Sequence, residues 1–107
     1  MRSILFIGVF IAACFGIAAA AQSKSAATEV KIDNFTFTPA EVKVPVGAIV
    51  TWTNRDDIPH TVVSTDKVFK SKVVDSDGKY TYTFDKAGTY PYFCSIHPKM
   101  TGKVVVQ

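Results

Sequence analysis

Late in the chain the sequence runs Tyr90-Pro91-Tyr92-Phe93-Cys94-Ser95-Ile96-His97-Pro98-Lys99-Met100-Thr101-Gly102, and a cysteine, a histidine and a methionine recur within it as C-x2-H-x2-M. The other histidine of the chain, His60, follows the turn-forming stretch Asn54–Pro59. Two imidazoles, one thiolate and one thioether make a coherent set of metal donors. Thiolate and imidazole in a trigonal plane, with a weak axial thioether, suit copper shuttling between Cu(I) and Cu(II): the soft sulfurs favour Cu(I) and imidazole serves both states. Zinc would accept Cys94 and both histidines, but a thioether is a poor fourth ligand for it.

Taken singly, each of these residues has an ordinary reading. A lone cysteine in a β-protein is usually a small core hydrophobe; His97 would be a surface loop residue, Met100 core filling and His60 a turn residue. Together they exhaust the histidines and, once the leader is set aside, the thiols and thioethers of the chain. Their convergence is the better account. Other signals fall away: Asp75-Ser76-Asp77-Gly78 resembles part of a calcium loop, but Phe84 stands where a glutamate is needed. Asp56-Asp57 read as turn carboxylates. Lys67, Lys70 and Lys72 read as a solvated face, with a docking patch as the alternative.

The elements that must position the donors are strands. Val30 and Ile32, then Phe35 and Phe37 after a break at Asp33-Asn34, alternate with polar residues. So do Val42, Val44 and Val46; Val50 and Trp52; Tyr80, Tyr82 and Phe84; and Tyr90, Tyr92 and Cys94, with Val104–Val106 closing the chain. The period is two and the residues are β-branched and aromatic. Turn signals at Thr38-Pro39, Pro45-Val46-Gly47, Asn54–Pro59, Asp75–Gly78 and Lys86-Ala87-Gly88 separate them. Short strands at this spacing predict an all-β, two-sheet β-sandwich. His60 is expected to open a strand over Thr61–Ser64, and residues 65–79 to form an irregular crossover.

Residues 1–21 have a basic start at Arg2, an uncharged apolar run and an end in small residues. That pattern describes a secretory signal peptide cleaved between Ala21 and Gln22, with a lipid anchor at Cys14 or an uncleaved membrane anchor as lesser readings. Residues 22–28 then form a flexible lead-in and 29–107 the domain. Export leaves Cys94 without a disulfide partner in an oxidising compartment, which calls for deep burial or a metal. A chain of 107 residues has room for one domain and none for a separate cofactor domain. The net charge of +3 is too mild and dispersed to argue for nucleic acid.

With these residues in view, the sequence resembles the cupredoxins, the small blue-copper proteins with a type 1 site, over residues 29–107. Asn34-Phe35-Thr36-Phe37-Thr38-Pro39, Val50-Thr51-Trp52-Thr53-Asn54, Pro59-His60-Thr61-Val62 and Ala87-Gly88-Thr89-Tyr90 match the family's pattern. The short C-x2-H-x2-M loop is similar to that of the amicyanin branch; plastocyanin and pseudoazurin, its relatives, have two more residues between histidine and methionine. The resemblance implies a Greek-key sandwich and one copper per chain, with His60, Cys94 and His97 equatorial and Met100 axial. It also implies one-electron transfer rather than catalysis. A dehydrogenase or reductase would be the donor and a cytochrome or oxidase the acceptor, docking near His97 on a monomer in the periplasm, with no stable membrane insertion after cleavage. The apolar patch around His97 would comprise Pro39, Ile58, Pro59, Ile96 and Pro98, with Lys99 beside it.

Two departures bear on the site. Thr61 stands where many cupredoxins have asparagine; its hydroxyl can bridge toward the ligand loop and its N–H can bond the Cys94 sulfur. Ile96 stands where the amicyanin branch has proline, so its N–H is available as a second donor to the thiolate. Against the electron carrier stand two other classes. A periplasmic copper-delivery protein would expose several Met or His ligands, and this chain offers Met100 in a closed set. A Cys–His hydrolase would leave Met100 and one histidine without roles. Nitrite reductases and multicopper oxidases need further histidines for a second copper site.

Overall fold

The computed structural model describes residues 27–107; the expected signal peptide, its cleavage site, Cys14 and residues 22–26 lie outside them. Eight strands follow one another: β1 (Ala27–Asp33), β2 (Thr36–Thr38), β3 (Glu41–Val44), β4 (Ala48–Asn54), β5 (Val63–Ser64), β6 (Lys79–Phe84), β7 (Gly88–Phe93) and β8 (Thr101–Val106). They form two four-stranded sheets, β2-β1-β4-β6 and β3-β8-β7-β5. β1 runs parallel to β4 and β3 parallel to β8, and the remaining neighbours are antiparallel. This is the two-sheet sandwich the period-two pattern demands.

The core lies between the sheets because alternate side chains of each strand face inward. Val30, Ile32, Val50, Trp52 and Phe84 come from one sheet and Val42, Val44, Tyr92, Val104 and Val106 from the other, all buried. Trp52 and Tyr92 meet edge-to-face across the interior at 5.4 Å, and Phe37 meets Tyr92 at 4.8 Å. Such aromatic pairs add to their area burial. Gly102 of β8 completes this packing, since a Cβ there would run into the Tyr92 ring.

Three local expectations shift. β3 ends at Val44, so Val46 sits in the Pro45–Gly47 turn and is 52% exposed. The strand expected over Thr61–Ser64 shrinks to Val63–Ser64, with His60 held instead by an isolated bridge to Val74. β1 begins at Ala27, so the last two residues of the expected lead-in already pair with β4.

The crossover between β5 and β6 is irregular, as its sequence suggests, yet it is firmly attached. Phe69 drops into the core, 5.8 Å from Trp52 and 5.5 Å from Phe84. Ser71 is buried, its Oγ accepting the Val62 N–H at 2.8 Å. Val74 exchanges both backbone hydrogen bonds with His60, at 2.8 and 3.1 Å.

Candidate metal centre

His60 owes its position to a small buried polar frame. Asn54, the last residue of β4, is fully buried; its Nδ2 donates to the Ile58 and Val74 carbonyls and its Oδ1 accepts the Asp56 N–H. Every polar atom of that side chain is thereby satisfied, which burial requires. The Asn54–Pro59 turn, closed on itself, presents Asp56 and His60 on one side. The His60 ring is inaccessible to solvent and its Nε2 lies 2.7 Å from an Asp56 carboxylate oxygen. The opposite ring nitrogen, Nδ1, is 3.8 Å from Cys94 Sγ.

Cys94 directly follows β7, and its loop returns on itself: the Cys94 N–H donates to the Met100 carbonyl at 3.1 Å and the Met100 N–H to the His97 carbonyl at 2.9 Å. Cys94 and Met100 are buried while His97 is half-buried. His97 Nδ1 also lies 3.8 Å from Cys94 Sγ. The donor atoms of His60, Cys94 and His97 all fall within 4.8 Å of one another.

These separations test the fit to a metal. With metal–sulfur and metal–nitrogen bonds of about 2.3 and 2.05 Å, a trigonal angle places sulfur and nitrogen about 3.8 Å apart, and a tetrahedral angle about 3.6 Å. The observed distances lie in the span that one ion held by Cys94 and the two imidazoles would require. Met100 adds a thioether to the same loop. The donor set fits copper.

Thr61 fastens the two halves. Its N–H donates to Cys94 Sγ at 3.4 Å, and its Oγ1 accepts the Ser95 N–H at 2.7 Å and lies 2.8 Å from Ser95 Oγ. Both roles expected of Thr61 are present. Ile96 differs from expectation: its N–H makes no hydrogen bond to Cys94, and the loop amide that favours the thiolate is that of His97. Burial pushes the Cys94 thiol up, but the Thr61 N–H, the His60 ring and the N–H and ring of His97 outweigh it and bring it down to about 6. A thiol so placed is ready to bind metal as thiolate at neutral pH.

Sequence reasoning missed two residues. Asp56, read as a turn carboxylate, is buried and touches His60; its spacing four residues ahead of that histidine within one turn was the available signal. Phe35, read as continuing an inward alternation, turns outward. Asn34 and Phe35 both have positive φ, 55° and 58°, which reverses the chain between β1 and β2. Phe35 lines a depression of about 490 Å³ together with Ile96, His97, Pro98, Lys99 and Met100. Of the patch residues anticipated, Ile96 and Pro98 are there; Pro39, Ile58 and Pro59 do not line it. Lys67, Lys70 and Lys72 are exposed on the crossover.

Comparison with known proteins agrees with this geometry. The family described as the cupredoxin-like domain matches residues 4–106. The chain is 39% identical over 94 residues to an amicyanin of Paracoccus denitrificans, covering 83% of this chain and 72% of that one. It is 34% identical to amicyanin-alpha of Methylorubrum extorquens over the full length of both. A purple cupredoxin from Nitrosopumilus maritimus superposes with a TM-score of 0.72 at 30% identity, covering 75% of this chain and 99% of that one.

Proposed function

The chain belongs to the cupredoxin-like family, and from that we propose that it is a periplasmic one-electron carrier whose single copper is held by His60, Cys94, His97 and Met100. The observation that carries the reading is the pair of 3.8 Å separations from Cys94 Sγ to the two Nδ1 atoms, in a site where Thr61 and Asp56 already fix two of the donors. Copper bound there supplies a one-electron couple between Cu(II) and Cu(I). The protein's part is to keep the donors in place in both states. Asp56 orients the His60 ring, the Thr61 and His97 amides stabilise the Cys94 sulfur, and the Cys94–Met100 hydrogen bond keeps the loop closed. Second contacts of this kind tune a metal's affinity and potential.

His97 is half-buried and lines the depression with Ile96 and Pro98, so its ring edge is the exit for the electron. Redox proteins dock there: a dehydrogenase or reductase as donor and a cytochrome or oxidase as acceptor, on a monomeric carrier. Lys99, exposed in the same depression, favours an acidic rim on the partner. Export by residues 1–21 and a domain over 29–107 complete the reading. With both histidines and Cys94 committed to one site, an enzymatic second copper has no ligands, and the chain acts as a carrier rather than an enzyme.

The test is a Cu(II) titration of residues 22–107 followed by visible absorption. An intense blue band saturating at one copper per chain, bleached by a mild reductant and absent in Cys94→Ala, is the expected result. Tight Cu(I) binding without that colour would point to copper delivery instead. Absence of binding in both states would overturn the site.

A further inference from the structure

The two histidines of the site are held by different means. His60 is fully buried, and Asp56 fixes its far nitrogen at 2.7 Å. Metal-binding histidines almost always have such a partner, because it sets the orientation of the ring. His97 stands on a loop, half-buried, and among the described residues its Nε2 makes no hydrogen bond. The contacts the protein makes with that ring are therefore those of neighbouring side chains.

Phe35 makes one of them. Its ring meets the His97 imidazole edge-to-face, with centroids 5.0 Å apart and planes at 87°, and meets the His60 imidazole in the same way at 5.6 Å and 90°. It therefore wedges against both rings from one side. The fold itself gives no reason for a phenylalanine at this point. A φ of 58° favours glycine and is adverse for a bulky side chain, and the residue is 50% exposed, so it adds little to the core. Strain at an exposed aromatic residue beside a site directs attention to its role there.

The conformation is maintained by Asp56, whose Oδ1 accepts the Asn34 N–H at 2.5 Å and whose Oδ2 accepts the Phe35 N–H at 3.0 Å. The same Oδ2 faces His60. One carboxylate thus aligns His60 directly and the turn that carries Phe35 at the same time.

We infer that Phe35 is a positioning residue for the copper site: its ring buttresses the His97 imidazole from one side, and Asp56 acts on both histidines, on His60 directly and on His97 through the turn that carries Phe35. The inference rests on His60 and His97 being copper ligands. It differs from a docking role because it concerns the free protein and needs no partner.

The test uses the copper-loaded protein with three readouts: the rate of Cu(I) transfer to excess bicinchoninate after ascorbate reduction, the electron paramagnetic resonance spectrum of the Cu(II) form, and the melting temperature. Phe35→Gly removes the ring and suits the positive φ, and the melting temperature reports whether the fold is kept. It is expected to release copper roughly tenfold faster, the lower end of what loss of a contact behind a ligand costs, and to show a changed copper hyperfine pattern. Phe35→Leu, apolar but without a ring, shifts the same way; Phe35→Tyr restores parental values. Val46→Ala, which truncates a comparably exposed apolar side chain in the Pro45–Gly47 turn, keeps the parental rate. Parental release and an unchanged spectrum in both Phe35→Gly and Phe35→Leu would overturn the inference while leaving the ligands standing. Equal acceleration by Val46→Ala would also overturn it, because release would then not depend on the Phe35 ring. If the parent itself gives no blue band, the ligand set falls and the inference with it.

Discussion

Asp56 and His60 form a buried pair, Oδ2 to Nε2 at 2.7 Å, on the side of the imidazole away from Cys94. Burial by itself would push the Asp56 carboxyl up. The N–H groups of Phe35 and Asn34 and the His60 ring outweigh that and hold it below the ordinary carboxylate range. The carboxylate is thus satisfied by three donors, from the β1–β2 turn on one side and the histidine on the other. Ser76 Oγ adds to the frame by donating to the Asp56 carbonyl.

Replacing Asp56 with asparagine leaves one acceptor oxygen for three donors. Asp56→Asn is expected to lower the stability of the apo-protein by about 1–3 kcal/mol, the range for leaving a buried donor unsatisfied. Copper affinity should fall by roughly ten- to a hundredfold. Removing a negative charge behind a ligand also disfavours Cu(II), so the reduction potential rises. Urea denaturation, competition titration and voltammetry read the three effects; a variant indistinguishable from the parent in all of them would take Asp56 out of the site.

Gly102 offers a test of the packing beneath the loop. A methyl group there collides with the Tyr92 ring, which Trp52 and Phe37 hold on its other sides. Gly102→Ala is expected to cost about 1–3 kcal/mol, as overpacking does, and to shift the visible band, because Gly102 follows Met100 by two residues. An unchanged melting temperature would show that the ring yields freely.

Tyr92 makes stability depend on alkaline pH. Its hydroxyl is buried without a hydrogen-bond partner, and burial pushes it up to about 12, the Trp52 indole acting weakly in the other direction. An unfolded tyrosine loses its proton near 10.0, so above that pH the folded state binds more protons than the unfolded one. Stability is therefore intact below pH 10 and falls as pH rises through the folded value, by up to about 3 kcal/mol at 1.36 kcal/mol per pH unit. Tyr80, also raised, acts in the same direction. Urea midpoints measured from pH 8 upward should fall less steeply for Tyr92→Phe than for the parent; parallel curves would contradict the assignment.

Copper removal should leave the fold in place and lower its stability. The donors are held by Thr61–Ser95, Cys94–Met100 and Asp56–His60 hydrogen bonds, none of which needs the metal. The apo-protein keeps its far-ultraviolet circular dichroism. At free copper one hundred times the dissociation constant, the loaded form gains about 2.7 kcal/mol. Loss of the dichroism spectrum on chelation would mean that the metal organises the sandwich.

The sheets and the grouping of Cys94 with His97 were legible because their signals are local, whereas His60 comes to them from 34 residues earlier in the chain. Alternation along Val50–Trp52 or Tyr90–Cys94 reports which face of a strand is inward, and C-x2-H-x2-M lies within a single loop. Phe35 misled because two consecutive left-handed residues, Asn34 and Phe35, reverse the chain there, and a period-two pattern carries no record of φ. Asp56 was hidden for another reason: its partners lie on a separate turn, at Asn34 and Phe35, as well as four residues ahead. Ile96 shows the limit of reading a backbone donor from residue type, since an available N–H is useful only where the loop directs it.

β8 begins at Thr101, immediately after Met100, and pairs in parallel with β3, bringing Lys103 beside Glu41. The loop that carries Cys94, His97 and Met100 is thus suspended between β7 and a strand whose other neighbour lies some sixty residues earlier in the chain. Pairings of such range close late and slowly, typically in milliseconds to seconds for β-sandwiches. The footing of the ligand loop thus depends on a long-range pairing as well as on the local β7–β8 hairpin. A chain ending at Met100 would retain all four donors and still give no blue band.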